Sequence, residues 1–158
     1  MNKLLIIAAV MLMAVTQKGF AQDSTKQSQA PQLLSLYYNI KDALVAGNTN
    51  EASASAQAFV QAANSNDNKS ITANNLSDLV KEASGIADTK DLRHQREHFA
   101  GLSTNMVTVV KAAKLTDQPV YQAYCPMKKS CWLTNSKTIK NPYFGSAMPT
   151  CGKITETL

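Results

Sequence analysis

Between residues 33 and 113 apolar side chains return every three or four positions in four successive stretches, a spacing that calls for amphipathic helices. Pro31 suits a first helical turn, Leu33, Tyr37, Ile40 and Leu44 line one face, and Gly47 is a good stop. A second helix is expected from about Asn50 to Ala63, with Ala52, Ala56, Phe59 and Ala63 inward. Its many alanines imply close helix–helix approach. After a polar turn at 64–69, residues 71–86 carry a third pattern through Leu76, Leu79, Val80, Ala83 and Ile86. Asp88 is placed to cap a fourth helix bearing Leu92, Phe99, Leu102, Met106, Val109, Val110 and Ala113. Lys111 and Lys114 lie in its last turn, where cations complement the helix dipole. Four such helices joined by short turns predict an antiparallel four-helix bundle over residues 31–115.

After Pro119 the texture changes. Val120–Tyr124 and Cys131–Leu133 read as strands, and Pro, Gly and Asn then recur, so turns dominate. A tail over 120–158 is too small for a core of its own. It is expected to dock on the bundle as a β-hairpin, with Trp132, Tyr121, Tyr124 and Tyr143 as the apolar cement. The fold class is therefore mainly α, with a small turn-rich Cys/Met tail, and residues 31–158 read as a single domain.

The chain opens with Lys3, a twelve-residue apolar run from Leu4 to Val15, and Gly19-Phe20-Ala21. That is the pattern of a secretory signal peptide cleaved after Ala21, and the run is shorter than the ~20 residues a membrane span needs. Residues 22–30 are expected to be a flexible tether, and the location periplasmic or secreted. Cleavage removes Lys3 and Lys18 and lowers the formal net charge from +5 to +3. So mild a charge, without a dense basic run, predicts no nucleic-acid partner and no membrane insertion after cleavage.

Three cysteines, Cys125, Cys131 and Cys151, all fall near the C-terminus. Cys125-Pro126-Met127 and Met148-Pro149-Thr150-Cys151 place a cysteine and a methionine close together at each end of a turn-rich loop. Thiolate and thioether are soft ligands that suit Cu(I) or another thiophilic ion. The competing reading is a Cys125–Cys151 disulfide in an oxidising compartment, worth about 3 kcal/mol by chain entropy, with Met127 and Met148 as core filler. His94 and His98 stand four apart on the fourth helix. His98 lies on the flank of the apolar stripe and is expected to face the docked tail as a further ligand or as a structural hydrogen-bonder, and His94 to meet water.

No nucleophile elbow, paired carboxylates or phosphate loop is found, so no enzyme is expected. Tyr37-Tyr38-x-Ile40-Lys41, Gln95-Arg96-x-His98-Phe99-x-x-Leu102-Ser103, Tyr124-Cys125-Pro126-Met127, Trp132-Leu133 and Ile139-x-Asn141-Pro142-Tyr143-x-Gly145-x-x-Met148-x-x-Cys151-Gly152 together resemble the DUF3347 family. The resemblance runs over essentially the whole mature chain. It implies a domain that accompanies membrane-fusion proteins of heavy-metal efflux systems, such a protein being the partner. The Cys-Pro-Met and Cys-Gly ends also look like small heavy-metal-binding domains of copper pumps. The resemblance carries Cys125, Met127, Met148, Cys151 and His98 over as metal ligands, with copper handling as the role. Cys131 departs from the pattern and offers Cys125 a short-range disulfide partner.

Overall fold

The computed structural model describes residues 29–65 and 70–158. The expected signal peptide and most of the expected tether lie outside the described residues, as do positions 66–69 of the expected turn. Four helices follow one another: α1 (Gln29–Ala46), α2 (Thr49–Ala63), α3 (Ala73–Ala87) and α4 (Leu92–Ala112). Helix α1 already includes residues 29 and 30, which the sequence reading assigned to the tether. Gly47 takes a left-handed φ of 72° and lets the chain leave α1 with no Cβ penalty. Asn48 then caps α2 by accepting from the Glu51 N–H at 3.1 Å. Thr72 caps α3 through the Asn75 N–H. Asp91, not Asp88, caps α4, accepting from the His94 N–H at 2.8 Å. Asp88 instead closes α3 as its C-cap, because Thr89 and Lys90 intervene before helical geometry resumes.

Each helix packs on the next in sequence, and α4 also reaches α1 and α2. Most of the predicted inner faces are buried: Leu33, Tyr37, Ile40 and Leu44 on α1, Ala52, Ala56, Phe59 and Ala63 on α2, Leu79, Ala83 and Ile86 on α3, Phe99, Leu102, Met106 and Val109 on α4, while Leu76, Val80, Leu92, Val110 and Ala113 pack against them partly exposed.

The tail is a three-stranded antiparallel sheet, not the expected hairpin. Strands β1 (Tyr121–Cys125), β2 (Ser130–Thr134) and β3 (Lys153–Thr157) are ordered β2-β1-β3. Strand β3 escaped the sequence reading because Lys153-Ile154-Thr155-Glu156-Thr157 is polar and largely exposed, so it carries no inward alternation. Strand β2 lies against α4. Trp132 and Leu133 are fully buried there, while Tyr121 and Tyr124 stay half-buried.

An aromatic column joins helices and sheet. Tyr37 stacks on Phe99 at 5.2 Å between centroids, Phe99 meets Tyr143 at 5.9 Å, and Tyr143 meets Trp132 edge-on at 6.0 Å. A chain of hydrogen bonds runs beside it. The Leu133 N–H donates to the Tyr37 hydroxyl at 3.0 Å, which bonds Ser103 Oγ at 2.7 Å. Ser103 also meets Tyr143, whose hydroxyl donates to the Cys131 carbonyl. Burial holds both phenols well above the ordinary tyrosine range. The network therefore stays neutral and tied together at any ordinary pH.

Candidate metal centre

Cys125 is the last residue of β1, and Cys151 stands two residues before the start of β3. These strands pair antiparallel, with Tyr124 opposite Lys153, so sheet register carries the two cysteines to one place. Their sulfurs lie 3.5 Å apart and unbridged. Gly152 makes the approach possible: its φ is 150°, and a Cβ there would lie 2.5 Å from the Trp132 ring. The Trp132 indole thus covers the backbone beside Cys151.

The turn Pro126–Lys129 folds the chain back over Cys125, helped by a left-handed φ of 56° at Lys129. Burial is the largest influence on the Cys125 thiol and pushes its pKa up. Hydrogen bonds from the Lys128 N–H, the Asn141 amide, the Cys151 thiol and the Met127 N–H together outweigh it and bring the pKa below the ordinary value. Cys151 moves the other way, first because its proton is held by Cys125, then through desolvation and repulsion by the Cys125 charge. The pair titrates in two steps, with Cys125 as the thiolate of the singly protonated form.

Asn141 is the centre of this arrangement, and sequence reading passed over it as a turn signal. Fully buried, it donates from Nδ2 to Cys125 Sγ at 3.3 Å and to the Cys151 carbonyl at 2.6 Å. Its Oδ1 accepts from the N–H groups of Tyr143 and Phe144 at 2.8 and 3.2 Å. The available signal was Asn followed by Pro and two aromatics, a side-chain-closed turn.

Met127 and Met148 are not core filler. They are the exposed large hydrophobic side chains among the described residues, at 65% and 39%. The Met127 N–H bonds both cysteine sulfurs, and the Met148 carbonyl accepts from the Cys151 N–H at 3.2 Å. Both methionines are thus anchored by their backbones to the sulfur pair. Among the described residues no three His, Cys, Asp or Glu side chains gather in metal-binding geometry.

A metal bonded to both sulfurs at about 2.3 Å would subtend an S–metal–S angle of about 100° across this 3.5 Å gap. That angle fits a three- or four-ligand site and not a linear one.

His98 lies elsewhere. Its Nδ1 bonds Glu82 Oε2 of α3 at 2.9 Å, and its ring lies over Gly85, where a Cβ would come within 2.4 Å. These contacts turn it toward α3, whereas Phe99 and Ser103 of the same helix meet the tail. Cys131 is also separated from Cys125. It pairs with Tyr124 in the β1–β2 register while Cys125 pairs with Ser130, so the two thiols point to opposite sheet faces and a short-range bridge would require the hairpin to open. Burial raises its pKa, and Thr104 and Lys111 of α4 face it.

Neither the curated proteins nor the solved structures contain a match to this chain. Residues 33–118 match the family described as a protein of unknown function (DUF3347). The matched stretch spans the helices and stops before β1, leaving the sulfur-bearing tail beyond it. Covering more than half of the 158 residues, the match shows that this chain belongs to the DUF3347 family.

Proposed function

We propose that the chain is an exported, non-enzymatic accessory protein that captures or delivers a soft metal ion, Cu(I) above others. Cys125 and Cys151 serve as thiolate ligands, and Met127 and Met148 as thioether ligands from the exposed rim. The observation that carries this reading is the unbridged pair of sulfurs 3.5 Å apart. The hydrogen bonds that lower the Cys125 pKa and the exposure of both neighbouring methionines add to it. Soft ligands alone, without imidazole or carboxylate, favour a monovalent soft ion over zinc. The helical part acts as an antiparallel bundle, a rigid platform for the sheet. The N-terminal signal directs the chain out of the cytoplasm, where a membrane-fusion protein of a heavy-metal efflux system is its partner.

A second reading, a disulfide-stapled interaction domain without metal, draws on the same short distance. Thiol counting on unreduced protein, together with Cu(I) titration against a chromophoric chelator under reducing, anaerobic conditions, separates the two. Expected is one Cu(I) per reduced chain, lost in Cys125→Ser and in Cys151→Ser and weakened in Met127→Leu and Met148→Leu. Failure of the reduced chain to compete with the chelator, or binding that survives both serine variants, refutes the copper reading.

A further inference from the structure

We infer that His94 and His98 form a second metal site, apart from the sulfur pair, that takes a borderline divalent ion of the Cu(II) type. The two imidazoles stand at i and i+4 of α4 with ring centroids 4.9 Å apart. The rings stand edge to face at 73°, so the exposed His94 ring turns to aim a nitrogen at the ion; with metal–nitrogen bonds of about 2.0–2.1 Å, an ion about 3.2 Å from each ring centre at a 4.9 Å spacing is bound at an angle of about 100°. Such an angle is ordinary for a two-imidazole chelate.

The surroundings prepare the rings for this. His98 is engaged at Nδ1 by Glu82 at 2.9 Å, which leaves Nε2 as the ligating atom. A carboxylate holding the remote nitrogen of a ligand histidine fixes its tautomer and ring orientation. His94 is half exposed, with Glu97 Oε2 at 3.8 Å from its Nδ1, so its ring is free to turn toward its neighbour. The run His94-x-x-Glu97-His98 is a spacing at which a helix presents two metal-binding imidazoles on one face. Asp88 and Asp91 line the recess beside His94 and Gly85. They offset the positive charge of Arg93, itself paired with Glu97 at 3.6 Å. Among the described residues no third His, Cys, Asp or Glu completes the group, so the remaining coordination positions belong to solvent. Imidazole nitrogen suits Cu(II), as thiolate and thioether suit Cu(I). The fold therefore presents one site for each oxidation state, on different elements.

The test is Cu(II) titration of the full chain, free of any affinity tag, read by electron paramagnetic resonance. Cys125, Cys131 and Cys151 are replaced by Ser so that thiols do not reduce the ion. Nitrogen hyperfine structure from two imidazoles is expected. His94→Ala and His98→Ala should each remove one imidazole from the signal, and Glu82→Gln should weaken binding about 10-fold or more. Should the serine variant not fold, Ni(II) added to the unsubstituted chain should broaden the ring resonances of both histidines in nuclear magnetic resonance spectra. A copper signal unchanged in His94→Ala and His98→Ala, or ring resonances that Ni(II) leaves untouched, overturns the site. So does a loss of Cu(I) affinity in His98→Ala, which would assign His98 to the sulfurs. Cu(I) binding that fails while the Cu(II) signal stands would refute the proposed function and leave this site intact.

Discussion

Tyr37 and Tyr38 are adjacent on one helix, yet removing each hydroxyl should have opposite consequences. Tyr37 is fully buried, and its oxygen accepts from the Leu133 N–H and bonds Ser103. Tyr37→Phe leaves that N–H buried without a partner, at about 1–3 kcal/mol, and removes a second bond worth about 1 kcal/mol. A loss of about 2–4 kcal/mol is expected, or roughly 10 °C in Tm for a chain of this size. The Tyr38 hydroxyl is also buried but has no hydrogen-bond partner among the described residues, and burial raises its pKa to about 12. Tyr38→Phe sheds an unsatisfied polar group and should be neutral or mildly stabilising. Urea unfolding of both variants and of Ser103→Ala, followed by tail tryptophan fluorescence and by helical circular dichroism, gives the comparison. The Tyr37–Ser103 double-mutant cycle should show coupling of about 0.5 kcal/mol or more. If Tyr37→Phe costs under about 0.5 kcal/mol, or Tyr38→Phe costs as much, the hydrogen-bond chain does not tie the sheet to the helices.

Gly152→Ala should destabilise the tail and abolish Cu(I) binding, since the added methyl meets Trp132 at 2.5 Å with φ at 150°; chelator competition and thermal melting check it, and wild-type behaviour refutes the close approach. Thiolate absorbance of the reduced chain against pH should rise in two steps, the first below the ordinary thiol pKa and the second above it; a single step at the ordinary value refutes the coupling. Because the Cys125 pKa is lowered by folding, its contribution to stability is present above the unfolded thiol pKa and lost as pH falls through the folded value; a stability that does not decline over that interval contradicts it. Asn141→Ala should move the first step upward and destabilise by about 2–4 kcal/mol, leaving at least two buried N–H groups without their acceptor; an unmoved first step would show that the amide does not hold the thiolate.

The helices were legible because each carries its own evidence: Leu33 to Leu44 repeat on one face, and Gly47 marks the stop within one residue. The fourth cap was misplaced by three residues since Asp88 and Asp91 offer the same side chain, and the choice depends on where α3 ends. Burial of Trp132 followed from composition alone, as its indole had nothing else to cover. Strand β3 was invisible because its pairing with β1 is a backbone affair, and its side chains face water. The meeting of Cys125 and Cys151 was foreseen from residue type, while the agent that holds them, Asn141, was not. An amide that reaches four groups through one turn leaves no periodic trace. The helical angle of His98 puts it on the flank of the stripe. The angle alone does not say which flank meets α3, and Glu82 with Gly85 opposite decides that.

The way the sulfurs are brought together has a thermodynamic consequence. Strand β3 is an edge strand of the sheet, exposed along nearly all its length, paired with β1 and tied to α4 by the Lys111–Glu156 ion pair at 2.6 Å. It has little apolar area of its own to hold it, since Ile154 alone of its residues packs on the core. The β1–β3 pairing and the Cys125–Cys151 approach therefore support each other: sheet register carries the sulfurs together, and Asn141 bonds Cys125 and the Cys151 carbonyl from the adjoining turn. An ion that binds only the closed form stabilises it by mass action in proportion to the logarithm of its concentration over its dissociation constant. If the sulfurs bind an ion as proposed, its apparent affinity follows the fraction of chains in which β3 is paired. Asn141 and Gly152 act on that fraction. The amide bonds Cys125 and the Cys151 carbonyl at once, and the glycine lets Cys151 in beneath Trp132. On the proposed reading a variant at either position should lose affinity without losing a ligand, whereas Met127→Leu would take a thioether from an exposed turn and leave the pairing of β3 as it was.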